Sequence, residues 1–186
     1  DLDAAAVTQV SALPASVDPV TYWQSQIEHG SAHAGSYAQL GLALLQKVRE
    51  THDATLYVQA GNAFDAALSL DSNDIDALTG RGILALALHD FNGALTWADR
   101  VLIANPYRAA GYGIRVDALV ELGRYAEAVK AAQSMVDLRP DLESYSRVSY
   151  LRELHGDLDG AIAAMEDAVK TAVPGTEPWL WTLTHL

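Results

Sequence analysis

The sequence predicts an all-α protein. It reads as a superhelical α-α solenoid of antiparallel helix hairpins, about four and a half repeats behind an N-terminal cap helix. Three observations predict this. The first is a recurring pattern: Ala60, Phe64 and Ala67; then Ala94, Ala98, Val101 and Pro106; then Ala128, Ala132, Met135 and Pro140. Ala60 to Ala94, Ala94 to Ala128 and Pro106 to Pro140 are each 34 residues apart, and a period of that length marks stacked helical hairpins. The second is composition: half of the 186 residues are hydrophobic. Most of these are Ala and Leu, which favour helix, and strand-length β-branched or aromatic runs are scarce. The third is the turns. His89-Asp90, Asn105-Pro106, Gly123-Arg124, Arg139-Pro140, Gly156-Asp157 and Pro174-Gly175 are so short that the helices they join must lie antiparallel.

The elements follow in order. Residues 1–17, small and polar with Pro14, form a loose lead. Asp18-Pro19 is an N-cap followed by Pro at the first helical position. A cap helix then runs to about His29, with Tyr22, Trp23 and Ile27 on one side, and Gly30, Ser31 and Gly35 break it. Tyr37, Leu40, Leu44 and Val48 recur at helical spacing over residues 36–49. Asp53 caps a helix over 54–70, and Asp71-Ser72-Asn73-Asp74 is a turn whose side chains bond their own backbone. Further helices are expected at 75–88, 91–104, 107–122, 125–137, 142–155, 158–172 and 177–186. No long linker interrupts them. Residues 18–186 therefore read as one domain, divided as cap helix 18–35, hairpin 36–74, repeats 75–108, 109–141 and 142–175, and a lone first helix 176–186.

Charge and chemistry narrow the function. The net charge is −12, from 24 acidic and 12 basic residues, which repels a phosphate backbone or an anionic membrane. Basic peptides or proteins suit it better, although solubility alone also accounts for the acidity. The absence of cysteine excludes disulfides, thiolate nucleophiles and sulfur-bound zinc, and leaves the compartment open, cytoplasmic or exported. No apolar run approaches the ~20 residues of a membrane span. The start, Asp1-Leu2-Asp3-Ala4, has neither a basic region ahead of an apolar stretch nor an initiator Met. A processed product, its signal sequence removed, or a fragment is expected.

Each unit thus reads helix, tight turn, helix, Pro-containing turn. Small residues such as Gly82, Ala94 and Ala98 sit where helices cross, and Phe91 and Tyr125 fill space beside the turns. At residues 75–106, Leu78, Gly82, Ala94, Ala98, Val101 and Pro106 resemble the tetratricopeptide repeat (TPR) family. The next repeat keeps Tyr112, Leu119, Gly123, Tyr125, Ala128 and Pro140, with Val116 where the family prefers Gly. The one from Leu142 keeps Gly156, Ala161 and Ala168 but is one residue shorter at its entry before Tyr145. The resemblance covers about residues 36–186. The blocks from Asn105 to Ala110 and from Val148 to Asp157 are similar to a bacterial, often exported, subgroup of the family. In the first repeat Gly41 to Gly82 is 41 residues, seven more than the period. Seven residues are about two helical turns, so an elongated hairpin over 36–74 is expected, one turn added to each arm.

The resemblance implies a non-catalytic scaffold or adaptor that binds a peptide or partner helix along the first helices of its hairpins. The matching positions include Asp76, Thr79, Ile83, Asp117, Glu121, Arg147, Tyr150 and Leu154, with Ala110, Gly113 and Glu143 beside them. The Lys/Asn clamp by which some members hold a terminal carboxylate is absent, because Thr79, Ile83, Gly113 and Asp117 stand at its places. Arg81 and Arg115, also 34 apart, form a candidate anion receptor; the plainer reading pairs each with a carboxylate such as Asp117 or lays its stem on apolar surface. His29 and His33 have metal-ligand spacing only on a continuous helix, which Gly30 and Gly35 oppose, and no third ligand is evident. Asp157-Leu158-Asp159-Gly160 and the Asp71–Asp74 stretch read as capping turns rather than calcium loops. No phosphate-cradling loop, nucleophile elbow or paired-His zinc motif is present, so neither catalysis nor a cofactor or metal is expected. Trp179 falls 34 after Tyr145, opening a fifth repeat in which Trp179, Leu180, Trp181, Leu183 and Leu186 leave no polar face. That surface suits a missing repeat or a second copy of the chain; the plainer reading is that the helix simply caps the fourth repeat. Two further readings therefore stand beside the scaffold: self-assembly through this helix, and a non-catalytic segment of a larger enzyme or transport system.

Overall fold

Asp18 starts the first helix as its N-cap. Its carboxylate accepts from the Thr21 amide at 3.2 Å and the Thr21 hydroxyl at 2.7 Å, and Lys47 reaches it at 3.1 Å. The computed structural model describes residues 17–184. Among them it has ten helices and no strand: α1 (Pro19–Glu28), α2 (Ala34–Thr51), α3 (Leu56–Leu70), α4 (Ile75–Ala87), α5 (Phe91–Ala104), α6 (Ala109–Glu121), α7 (Tyr125–Leu138), α8 (Leu142–Leu154), α9 (Leu158–Thr171) and α10 (Glu177–Thr184). The expected lead falls almost entirely outside the described residues, as does Leu186. The hydrogen bond from the Thr21 hydroxyl, followed by those from Lys47 and the Thr21 amide, holds the Asp18 carboxyl below its ordinary pKa. A depressed folded-state pKa adds stability that is complete above the unfolded value and is lost as pH falls through the folded one. Asp18→Ala is therefore expected to cost about 1 kcal/mol near neutral pH and much less in acid, as chemical denaturation at the two pH values would show.

The described helix boundaries sit within two residues of expectation, and the largest differences have local causes. α2 takes in Gly35 because His33 caps it: the His33 ring accepts from the Ser36 amide at 3.3 Å, and the buried Ser36 hydroxyl donates to the Ser31 carbonyl. α6 begins at Ala109 rather than 107, since the Asn105 side chain accepts from the Tyr107 amide at 2.9 Å and holds a turn there. The seven added residues are not shared equally between the arms. α2 runs ten residues past Gly41, whereas α4 runs five past Gly82 and α6 five past Val116. Five of the seven therefore lengthen α2, and one each falls in the following turn and in α3. The expectation of one turn on each arm is corrected accordingly. In that turn Asp53 accepts from the amide and hydroxyl of Thr55, which holds residues 53–55 as a turn ahead of α3.

The chain forms two compact units, one ending at Gly80 and one beginning at Arg81. The boundary lies inside α4, not at a Pro- or Gly-rich linker, so composition gives no sign of it where the sequence reads as one domain. In the first unit α1, α2 and α3 pack in succession around Phe64, which is 0% exposed. Gly41 of α2 and Gly80 of α4 both face its ring: a Cβ built on either would lie 2.4 Å or 2.2 Å from ring carbons. In the second unit α5 to α9 pack in sequence as antiparallel neighbours, the hairpin architecture of an α-α solenoid. Small residues let the backbones close up. Ala94, Ala98 and Ala118 form one core cluster with Ala85 and Ile114, and Ala128, Ala131 and Ala132 another with Val116, Leu119 and Leu151.

Each tight turn needs one residue of positive φ, supplied by His52, His89, Gly123 and Gly156. Gly123, at φ +70° with open space where a Cβ would sit, is held by conformation alone. Gly123→Ala is expected to cost about 1–2 kcal/mol, the left-handed penalty for an L-residue, measurable as a lowered urea midpoint with unchanged m-value.

Candidate functional site

α8 begins at a reciprocal cap that fixes the direction of its side chains. Asp141 accepts from the Ser144 amide at 3.1 Å, and the buried Ser144 hydroxyl accepts from the Asp141 amide at 2.9 Å. One turn further along, Arg147 crosses to α6. Its Nε donates to Asp117 Oδ1 at 2.8 Å and its Nη2 to Asp117 Oδ2 at 2.7 Å, while Nη1 donates to the Glu143 carbonyl at 2.9 Å. Burial opposes the guanidinium's charge, but the Asp117 charge and its two bonds outweigh it and raise the Arg147 pKa. The pair is half-buried and geometrically fixed, and it presents a neutral ridge rather than a free cation.

Beside this ridge runs a groove of about 310 Å³, lined by Asp117, Glu121, Arg147 and Tyr150 together with Val116, Val120, Ser146 and Trp181. Four of the eight expected partner-binding residues therefore come together, all on the first helices of two successive hairpins. Tyr150 is 49% exposed and Trp181 46%. With Asp117 paired to Arg147, Glu121 supplies the remaining negative charge. Val120 lies three residues after Asp117 and so shares its helix face, a signal that would have added it to the candidates; the spacing gives no such sign for Val116. Trp181 was expected only as part of the terminal patch; the structure makes it a wall of this groove as well.

The other four expected residues do not line it. Thr79 is a correction: it is 5% exposed, and its hydroxyl donates back to the Ile75 carbonyl at 2.6 Å, the local bond a helical Thr favours. Ile83 is half-buried and packs against the cluster of Ala85, Ala94 and Ala98. Asp76, in the first unit, is half-buried and accepts from the Gln39 side chain at 3.2 Å. Leu154 is exposed at the end of α8. Of the terminal patch, Leu180, Trp181 and Leu183 are exposed and Trp179 is half-buried, while Thr182 turns inward.

The two periodic arginines do not converge on an anion site. Arg81 lies over the Trp97 ring at 5.0 Å, with Arg100 4.6 Å from the same ring, and Arg115 pairs with Asp99. His29 bonds the Ser25 carbonyl at 2.7 Å from the end of α1, and His33 caps α2, so the two sit on different elements. Asp157 accepts from the Gly160 amide at 3.0 Å and Asp71 from the Asn73 amide at 2.9 Å, as capping turns do. Among the described residues no group of three His, Asp or Glu side chains is placed to hold a metal ion, and no helix is long and apolar enough to cross a membrane.

Comparison with known proteins agrees with this architecture. A tetratricopeptide repeat family model matches residues 115–176. The Protein STIP1 homolog of Dictyostelium discoideum is 33% identical over 84 residues, 45% of this chain, and the chain spans only 15% of that protein's length. Among solved structures, a thermophilic TPR protein of Thermus thermophilus superposes with a TM-score of 0.77 at 15% identity, covering 89% of this chain and 87% of that one. MamA from Desulfovibrio magneticus superposes with a TM-score of 0.63 at 21% identity, covering 82% of each chain. YrrB, described as a TPR protein with an unusual peptide-binding site, does so at 0.58 and 16% identity, covering 89% of this chain and 81% of its own. At these identities the structural likeness speaks for the fold.

Proposed function

We propose that this chain, a tetratricopeptide-repeat protein, is a non-catalytic interaction scaffold that binds a peptide or partner helix in the groove between α6 and α8. One observation carries the reading: two half-exposed aromatic rings, Tyr150 and Trp181, face the same acidic groove. Exposed aromatics at one concave place are the usual anchors of an interface. Glu121 and the two rings together favour a segment that offers an apolar side chain with a lysine or arginine beside it, the cation resting against carboxylate and ring face. This agrees with the net charge of −12. Affinity capture from native extract with the intact chain tests the reading. The same partners should be lost with Tyr150→Ala and with Arg147→Ala; their retention by both variants, each still folded by circular dichroism, would remove the groove from consideration.

The terminal helix favours a second reading, self-assembly. α10 buries Thr182 and turns Leu180, Trp181 and Leu183 outward, 53%, 46% and 42% exposed, the reverse of a solvated helix. Light scattering separates the two readings: a wild-type oligomer that Trp181→Asp dissociates supports assembly, and a wild-type monomer rejects it.

A further inference from the structure

A second groove lies on the other side of α6. Tyr112, Arg115 and Leu119 point into it, whereas Asp117 and Glu121 line the groove already described; residues two apart on a helix diverge by more than half a turn of its circumference. The second groove has a volume of about 420 Å³ and runs across α5, α6 and α7. Its floor is apolar, from Leu95, Leu119 and Ala131, and its rim is cationic. There Arg124 makes two bonds of 2.7 Å to Glu127, and Arg115 pairs with Asp99. Lys130 lines the same rim, one helical turn beyond Glu127. The Arg124 bonds, joined by the charges of Lys130 and Arg115, lower the Glu127 pKa. Three cations thus share two carboxylates, which leaves an excess positive charge on a chain whose net charge is −12.

We propose that this groove is a second, independent docking site, for an acidic amphipathic peptide segment of another protein. The charge selects acidic side chains. The apolar floor and the length across three helices favour a chain segment with alternating acidic and apolar residues over a small anion. The rim pairs are exposed and contribute little to folding, so exchanging their partners for carboxylates of an incoming segment costs little. The two grooves then carry opposite charge preferences on one pair of hairpins, and the scaffold bridges an acidic segment and a basic one.

Selection of peptides from a random library by the intact chain tests this. The expected result is a class of peptides with Asp or Glu flanking apolar residues. Their affinity should fall by about tenfold or more on Lys130→Glu with Arg124→Glu, weaken with added salt, and stay unchanged on Tyr150→Ala. Failure to select an acidic class would overturn the proposal, as would an acidic class indifferent to the charge reversal. Binding of inorganic phosphate that competes fully with the selected peptides would reassign the groove to a small anion and likewise overturn it. Because Tyr150→Ala lies in the other groove, loss of the basic class alone leaves this site standing.

Discussion

Phe64→Ala is expected to destabilise the first unit by about 3–5 kcal/mol, the range for deleting a fully buried aromatic ring. The ring is 0% exposed and is met by two glycines, Gly41 and Gly80. Both glycines sit inside helices, where alanine would be favoured by about 1 kcal/mol. A Cβ at Gly80, however, would approach two ring carbons at 2.2 Å, and the same ring carbons already lie against Gly41, so the fully buried ring has little room to give way. Gly80→Ala is therefore expected to cost about 1–3 kcal/mol net, against its helix propensity. Phe64→Leu should recover part of that loss when combined with it, because the smaller side chain makes room. Urea denaturation of the single and double variants checks this, and a stabilising Gly80→Ala in the wild-type background would refute the packing argument.

The second large effect is expected at the Arg147–Asp117 pair. Removing Arg147 deletes two charge-assisted bonds to Asp117 and one to the Glu143 carbonyl. The side chains are 28% and 37% exposed, between the exposed pairs that contribute almost nothing and the buried ones whose rupture costs several kcal/mol. Arg147→Ala should therefore lower stability by about 1–2 kcal/mol. A double-mutant cycle with Asp117→Ala should return a coupling of about 1 kcal/mol, partly screened at high salt. A coupling indistinguishable from zero would mean that the pair does not hold α6 to α8.

These two expectations show what the sequence carries and what it conceals. The 34-residue period, the alanines at crossings and the short turns are local and repetitive, so helix type and boundary could be read with little error. Phe64 and Gly41 were legible as period members, but their contact was not: it depends on which faces meet across α2, α3 and α4. The groove was half legible. Asp117, Glu121, Arg147 and Tyr150 follow from repeat register, whereas at comparable positions Thr79 is buried against its own helix and Ile83 packs half-buried against neighbouring side chains. Register assigns a helix position; the tilt of each helix against its neighbours decides whether that position is wet. Arg147 illustrates the remaining gap, since thirty residues separate it from Asp117 and neither motif nor spacing joins them. The cationic groove was missed for a similar reason. Arg115 stood out by periodicity, but Arg124 caps and Lys130 belongs to a second helix, the side of the hairpin on which no ligand was expected.

The central claim is that the α6–α8 groove is a binding surface. Its most direct test is isothermal titration of the intact chain with the lysine- or arginine-containing peptides it selects from a random library. Wild type is compared with Tyr150→Ala/Trp181→Ala, and Lys130→Glu serves as the control. The account predicts a loss of about tenfold or more for the aromatic double variant and none for Lys130→Glu. Equal affinity in wild type and the double variant, or a selected set without cationic residues, would contradict it.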